Sequence, residues 1–307
     1  TPEEPPEPDE IPPAHGDEPT PGNPGDSEIA PYNAPEMLDT YPQPALDGIE
    51  TLPVFADRYP TGQLGLETEA TAEMKTAQLE RVRGFAEALG LWGEEDTFTA
   101  VSASASGDID RNSIYLVSGG GYEFISHPAR TAVSIPIENN DEMAAIRNAT
   151  ETALPALLPS TRIIKAACEY AGIDLSLARV RPCVIDIGWR EFIIYEGSDN
   201  YAEDILNRGT NYITVTDYGL DAVTISVTCF DTSEKLTDAE IISYEDAIVR
   251  LNENAGYDLG ESVVFWELGY SNKTEHGKLA PYYAFYYTND GYISFEILSA
   301  SRTRQSS

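Results

Sequence analysis

The sequence is poor in basic residues. Its 307 residues include 19 Lys and Arg against 52 Asp and Glu, which gives a formal net charge of −33. A nucleic-acid surface needs clustered Lys and Arg to neutralise phosphates, and no basic stripe occurs along the chain. We therefore expect no nucleic-acid partner. The same imbalance argues against electrostatic docking on an anionic membrane, so contact with a membrane is expected only through an N-terminal lipid anchor.

Histidine is also scarce, since only His15, His127 and His276 are present. No G-x-S-x-G or H-E-x-x-H motif accompanies them, which leaves little basis for Ser-His, Cys-His or zinc-dependent catalysis. The many carboxylates do not single out an acid/base pair, because some of them are near each other in any fold. We expect a protein that is not an enzyme and that uses no cofactor.

Two glycine-containing stretches resemble ligand loops only in part. Asp108, Asp110 and Asn112 match the opening of a calcium loop, but Ser113 and Gly119 stand where such a loop has Gly and Glu. Residues 118–121 lack the Lys and Ser/Thr that follow a phosphate-binding glycine loop. Both stretches are predicted to be turns, and no metal site is expected.

Cysteines and long apolar runs are few. Cys168, Cys183 and Cys229 have no metal-type spacing and lie in apolar patterns, so they are expected to be small buried side chains; one disulfide with one cysteine left over is the alternative. No run approaches the ~20 apolar residues of a membrane helix. The chain begins at Thr1 rather than Met, which is compatible with a removed signal peptide.

Three segments differ in composition. Residues 1–46 are rich in Pro, Glu and Asp and contain no Lys or Arg, so they are expected to form a disordered linker that tethers a globular region to a surface, or a tail without a tether role. An N-terminal α+β domain is expected at 47–138. A C-terminal α+β domain with two helix-plus-strands units is expected at 139–307.

Hydrophobic periodicity predicts helices and short strands in alternation. The predicted helices cover 71–89, 141–157 with an interruption at Pro155, 160–171 and 244–255. The predicted strands cover 49–55, 97–104, 113–118, 122–125, 131–137, 180–187, 191–196, 212–216, 222–230, 262–270, 282–288 and 292–298. The fold class is therefore α+β, with antiparallel strands and with helices on one face of the sheets.

Three of the predicted helices end at Gly90, Gly172 and Gly256, which follow one another at nearly equal intervals. This spacing predicts a repeated unit of one helix followed by antiparallel strands. The alternative is that the three glycines are ordinary C-terminal helix ends, which are common in any helix and imply no repeat. The best-defined unit starts at Ser243, which is expected to cap a helix whose inward stripe is Tyr244, Ala247, Ile248, Leu251 and Ala255.

The strand at 222–230 has a two-faced pattern. Val223, Ile225 and Val227 alternate with Thr224, Ser226 and Thr228. Such alternation is typical of an antiparallel strand with one face in a core and the other in solvent.

Aromatic residues are abundant in parts of the chain and are the candidates for a binding surface. Tyr and Trp offer rigid contact area with a polar group, so exposed ones favour interfaces, although strand alternation directs about half of them into a core. The candidate binding face consists of Trp92, Trp189, Trp266, Tyr283, Tyr287 and Tyr292.

Residues 240–300 carry a family resemblance. The run from Ile242 to Ile248, followed by a hairpin at 289–291 and an end at Ala300, resembles the helix and terminal strands of a PepSY-type domain. Several such units behind an extended tail resemble the YycI-like regulatory lipoproteins of Gram-positive bacteria. Ser299 departs from the Val-Asp-Ala ending of many such domains. The resemblance implies a non-catalytic extracytoplasmic module that binds or restrains a protein partner.

These observations lead to one main expectation and two alternatives. The main expectation is an extracellular, lipid-anchored cell-surface protein that binds a protein or peptide partner at a sheet face or edge. The first alternative is a carbohydrate-binding surface protein that stacks sugars on Trp92, Trp189 or Trp266. The second is an envelope hydrolase in which His127 or His276 meets a carboxylate.

Overall fold

The computed structural model describes residues 49–57, 72–92, 99–101, 114–117, 122–126, 129–183, 190–272, 274–275, 277–289 and 292–302. The expected linker, the calcium-like loop at 108–112, the glycine turn at 118–121, Trp189 and all three histidines lie outside these ranges.

The described chain contains strands β1 (Thr51–Ala56), β2 (Thr99–Val101), β3 (Ile114–Val117), β4 (Glu123–Ser126), β5 (Arg130–Pro136), β6 (Ala178–Pro182), β7 (Arg190–Glu196), β8 (Asn211–Asp217), β9 (Ala222–Cys229), β10 (Lys235–Glu240), β11 (Val263–Ser271), β12 (Lys278–Asn289) and β13 (Tyr292–Ser299). Its helices are α1 (Ala72–Ala88), α2 (Asp141–Asn148), α3 (Leu154–Leu157), α4 (Arg162–Ala171), α5 (Tyr201–Thr210) and α6 (Tyr244–Ala255), with short 3-10 turns at Leu158–Ser160 and Gly260–Ser262.

The strands form two antiparallel sheets, which confirms the α+β class. One sheet has eight strands in the order β2-β3-β4-β5-β9-β8-β7-β6. Its central pairing joins β5 to β9, from Arg130 opposite Thr228 to Pro136 opposite Ala222. Strands from both sides of the expected boundary at 138/139 therefore share this sheet.

The second sheet has five strands in the order β10-β1-β12-β11, and β13 also pairs with β12. Strand β1, from the start of the described chain, lies between β10 and the first residues of β12. Asn289 pairs with Tyr292, so β12 and β13 form the hairpin that the Asp290-Gly291 pair predicts.

The first core lies between one face of the eight-stranded sheet and helices α1, α2 and α4. It contains Phe85, Ile164, Cys168, Phe192 and Ile225, each at most 1% exposed. None of the three cysteines forms a disulfide bond. Cys168 is buried as expected, whereas Cys183 is half-buried. For Cys229 the expectation of burial is wrong: it is exposed, because it is the last residue of β9.

The second core joins α5 and α6 to the five-stranded sheet. Ser243 caps α6 by accepting a hydrogen bond from the Asp246 amide at 3.1 Å, and Gly256 ends the helix with φ 76°. Ala247 and Leu251 are buried, and Tyr244, Ile248 and Ala255 pack beside them. The predicted inward stripe of this helix is therefore confirmed.

Gly90 and Gly172 also adopt positive φ, so all three glycines at the expected helix ends are left-handed. The helices nevertheless do not form clearly repeated units on one face of the sheets. Helix α5 and strand β10 were not predicted. None of the described helices is long and apolar enough to cross a membrane.

Candidate functional site: a polar cavity between the sheets

The second face of the eight-stranded sheet is polar and buried. Ser226 is 1% exposed and Thr228 is 4% exposed, so the expectation that this face of β9 lies in solvent is wrong. Strands β11 and β12 of the other sheet cover it, as the cavity described below has walls from both sheets. A strand pattern alone cannot distinguish a solvent-facing polar face from one covered by a second sheet.

Strand register places polar side chains of this face side by side. The following sets are directly opposite one another on adjacent strands: Arg179, Tyr195, Tyr212, Thr228 and Arg130 in one row, and Arg181, Ile193, Thr214, Ser226 and Ala132 in the next. A third row contains Glu191, Thr216, Thr224 and Ser134. Apart from Ile193 and Ala132 these side chains are polar, so the rows form a polar floor under the second sheet.

A cavity of about 260 Å³ lies above this floor, and we call it the inter-sheet cavity. Its charged walls come from β5, β6, β7, α5 and β11, and its phenol groups come mainly from β8 and β12. They are Arg130, Arg181, Arg208, Glu191 and Glu267, with Tyr212, Tyr282 and Tyr286. Three arginines against two glutamates leave a formal surplus of positive charge inside a chain of net charge −33.

One ion pair crosses the cavity from sheet to sheet. Arg181 on β6 donates to Glu267 on β11, and their side chains are 11% and 10% exposed. The Tyr286 hydroxyl donates to the other oxygen of Glu267 at 3.1 Å. Burial alone would raise the pKa of Glu267, but the nearby Arg181 and Arg208 outweigh it and hold that pKa below its usual value. Glu267 is therefore an ionised carboxylate that is already satisfied.

The other two arginines are not paired in this way. No carboxylate of the described chain lies within salt-bridge distance of Arg130 or Arg208, although Arg208 donates to the Leu268 carbonyl. The Nε atoms of Arg130 and Arg181 are buried without a hydrogen-bond partner. A buried donor left unpaired costs about 1–3 kcal/mol.

Glu191 is the second carboxylate of the inter-sheet cavity. Its Oε2 accepts a hydrogen bond from the Thr216 hydroxyl at 2.8 Å. Burial, together with the nearby Glu191, raises the pKa of the Cys183 thiol well above its usual value, so this thiol stays protonated and donates to Glu191. No Lys or Arg of the described ranges forms an ion pair with Glu191.

The tyrosines of the cavity also remain protonated at neutral pH. Burial raises the pKa values of Tyr212, Tyr282 and Tyr286 above their usual range. Their hydroxyls, with those of Thr214 and Thr228, can donate or accept hydrogen bonds. The cavity therefore offers cationic donors, one carboxylate without a cationic partner among the described residues, and several neutral hydroxyls.

Helix α5 brings Arg208 to the cavity. Asn200 caps this helix by accepting from the Glu203 amide at 3.3 Å. At its other end Gly209 lies against β11, because a Cβ atom there would be 2.7 Å from Tyr270 Cβ and 2.8 Å from its backbone nitrogen. Only glycine permits this approach, and the approach positions the neighbouring Arg208 to reach Leu268.

The aromatic candidates do not form one exposed face. Tyr283 is fully buried in the second core, where its hydroxyl donates to the Ile242 carbonyl at 2.8 Å, so it has no surface to offer to a partner. Trp266 and Tyr287 are partly buried against the same core, and the Trp266 ring lies 4.9 Å from that of Tyr244. Trp92 packs against the first core instead. The side chain of Tyr292 lies outside the described part.

Sequence reasoning missed the charged residues of the cavity. Two local signals point to them. Glu267 is a charged residue within the otherwise apolar run of β11. Arg179 and Arg181 are two residues apart in the short strand β6, so both lie on the same face of the sheet. In the described ranges, no group of three or more His, Cys, Asp or Glu side chains could hold a metal ion.

No protein-family model matches the chain, and no curated protein is significantly similar to it.

Proposed function

We propose that the protein is a non-catalytic binding protein and that its inter-sheet cavity receives a carboxylate group of the ligand. The observation that carries this proposal is that Arg130 and Arg208 line a partly enclosed polar cavity without a carboxylate partner in the described chain. A ligand carboxylate would complete charge-assisted hydrogen bonds that the protein leaves open.

The size of the cavity limits the ligand. At about 260 Å³ it lies just below the range of pockets that hold drug-sized molecules. It therefore suits a small organic acid or the C-terminal residue of a peptide. The shared chemistry is a carboxylate, and the peptide source agrees with the expected protein or peptide partner.

The protonation states of the cavity favour binding over catalysis. Glu267 is held ionised by Arg181, and the Cys183 thiol and the tyrosine hydroxyls are held protonated, so none of these groups is poised to exchange a proton near neutral pH. His127 and His276, on which the hydrolase alternative depends, lie outside the described ranges. Partly buried Trp92 and Trp266 give the sugar-stacking alternative little support.

The cellular setting belongs to the same proposal. We propose an extracellular, lipid-anchored location and membership of the PepSY-like or YycI-like regulatory proteins. Support comes from the acidic, Pro-rich tail and from the capped helix α6 with the β12–β13 hairpin that follows it.

Calorimetric titration of the intact chain tests the proposal. The probes are caproate, para-bromobenzoate and a short peptide with either a free or an amidated C-terminus. We expect wild-type protein to bind the acids or the free peptide, and Arg130→Gln to weaken binding by about tenfold or more, because one charge-assisted contact is lost. Binding of the small acids indicates a small ligand, and binding of the free peptide alone indicates a peptide.

Arg83→Gln is the matched control, because Arg83 is exposed on α1 and pairs with Glu87 four residues on. It removes the same charge far from the cavity and is expected to leave binding unchanged. Absence of binding for every carboxylate at millimolar concentration, or an equal loss in both variants, would contradict the proposal.

A further inference from the structure

The inter-sheet cavity contains unpaired charges of both signs, which require partners of opposite charge. Arg130 and Arg208 need an anion, whereas Glu191 has no cationic partner in the described chain. The Arg181–Glu267 pair satisfies itself and leaves both requirements in place. A simple carboxylate would pair only with the arginines and would leave the Glu191 carboxylate in the cavity without an opposite charge, which is costly for a group removed from bulk water.

Resting on the proposed function, we infer that the ligand is a zwitterion: its carboxylate lies at Arg130 and Arg208, and its ammonium group lies at Glu191. An ammonium group would donate to Glu191 in the remaining acceptor positions that Thr216 and Cys183 do not use. Tyr212, Tyr282 and Tyr286 also line the cavity, and aromatic rings attract a cation that approaches their faces.

The strand order sets the distance between the two ends of the ligand. Glu191 is on β7 and Arg130 is on β5, with β8 and β9 between them, which separates them by three interstrand spacings or about 14 Å across the sheet. They also lie two rows of the floor apart, which adds four residues or about 13 Å along the strands, so their backbones are about 19 Å apart. The long Arg130 side chain shortens the distance that the ligand has to bridge. In an α-amino acid the ammonium and carboxylate groups are attached to the same carbon, so it cannot bridge the remaining distance. The ligand therefore separates its charges, as an ω-amino acid does.

The charge of the whole molecule agrees with this assignment. A chain of net charge −33 repels free anions over long range, whereas a zwitterion has no net charge and is not repelled.

The experiment compares matched pairs of ligands by calorimetric titration of the intact chain: ε-aminocaproate with caproate, and alanine with propionate. In wild-type protein, ε-aminocaproate is expected to bind about tenfold more tightly than caproate, since it adds one charge-assisted contact. Alanine is expected to gain nothing over propionate. In Glu191→Gln the ratio of the affinity for ε-aminocaproate to that for caproate is expected to fall to about one, while the affinity for caproate stays unchanged.

Two further variants separate charge from folding. Glu191→Asp keeps the charge on a shorter side chain and is expected to retain part of the advantage. Glu253→Gln, at an exposed position of α6, is the matched control and is expected to retain all of it. Circular dichroism and thermal unfolding confirm that each variant is folded.

The outcomes distinguish this inference from the proposed function. If caproate and ε-aminocaproate bind wild-type protein equally well, or if alanine gains as much as ε-aminocaproate, the zwitterion assignment is overturned and the carboxylate site stands. If Glu191→Gln keeps the full advantage, Glu191 is not the ammonium partner and the inference is overturned. If no acid or zwitterion binds, the proposed function itself fails.

Discussion

At the residue scale, the buried Arg181–Glu267 pair connects the two sheets, from β6 to β11. Removing one partner of a buried ion pair leaves the other charge uncompensated, which costs about 3–5 kcal/mol. We therefore expect Glu267→Gln to lower the free energy of unfolding by about this amount at neutral pH, as measured by urea denaturation followed by tryptophan fluorescence. Exposed Glu253→Gln should change it by less than about 0.5 kcal/mol. A similar small loss in both variants would contradict the assigned role of Glu267.

The same pair predicts a pH dependence. The folded-state pKa of Glu267 lies below its ordinary value of 4.5. Its contribution to stability is therefore fully present above the unfolded-state pKa and is lost as pH falls through the folded-state pKa. The stability difference between wild type and Glu267→Gln should be constant at neutral pH and should shrink in acid below pH 4.5. A difference that grows on acidification would contradict the lowered pKa.

These charged residues were not predicted because their role depends on what covers them. Arg130 and Glu191 are ordinary polar positions of half-buried strands in the sequence, and only the second sheet converts them into cavity walls. Tyr283 illustrates the reverse case. Its place in an aromatic run allowed either a core or a binding face, and the register of β12 puts it wholly in a core.

At the scale of elements, Gly209 determines how closely α5 approaches β11. A Cβ atom would overlap Tyr270, including its backbone, so Gly209→Ala has to push the helix away. We expect a loss of about 1–3 kcal/mol in the free energy of unfolding, as for other overpacked sites, measured by urea denaturation.

Gly84→Ala is the matched control for Gly209→Ala. Gly84 lies inside α1, where an added Cβ would meet Tyr170 at 3.7 Å, an ordinary contact. Alanine is the better helix former by about 1 kcal/mol, so this variant should be stabilised. A neutral Gly209→Ala, together with a stabilised Gly84→Ala, would show that α5 is not tightly seated.

The capped helix α6 could be read from the sequence nearly residue by residue. Its cap, stripe and glycine end act within a few residues, and local chemistry therefore determines them. Helix α5 has a comparable signal that was overlooked: Asn200 is followed three residues later by Glu203, in the spacing of a capping box. Gly209 and Thr210 weaken its helical pattern, and the close contact with β11 compensates for them.

The cap of α6 gives a further prediction. Ser243→Ala removes the acceptor of the Asp246 amide and should lower the free energy of unfolding by about 1 kcal/mol, measured by urea denaturation. Ser243→Asp keeps an acceptor and should restore most of the loss. Equal losses in the two variants would mean that the cap hydrogen bond is not the source of the effect.

At the scale of the whole molecule, each sheet combines strands that are far apart in the chain. β5 pairs with β9 and β1 pairs with β12, so these pairings close long loops that no local pattern reveals. This is why the existence of most strands could be predicted, whereas the sheet order and the cavity could not. The boundary expected at 138/139 runs through both sheets.

A fragment tests the consequence of this strand order. Residues 139–307 alone lack β5 and β1, which turns β9 into an edge strand and leaves β10 without the strand it pairs with. Unpaired central strands expose backbone groups and apolar faces, so we expect this fragment to show no cooperative thermal unfolding, in contrast to the intact chain. A fragment that unfolds cooperatively, with its own near-ultraviolet circular dichroism, would show that the C-terminal region is an independent domain.

The most direct test of the central claim is a crystal structure of the intact chain soaked with para-bromobenzoate, in which the bromine is located by anomalous scattering. The carboxylate site predicts one bromine peak inside the inter-sheet cavity and a carboxylate in hydrogen-bond contact with Arg130 and Arg208. A saturated soak that places bromine elsewhere and leaves both arginines without the ligand would contradict it.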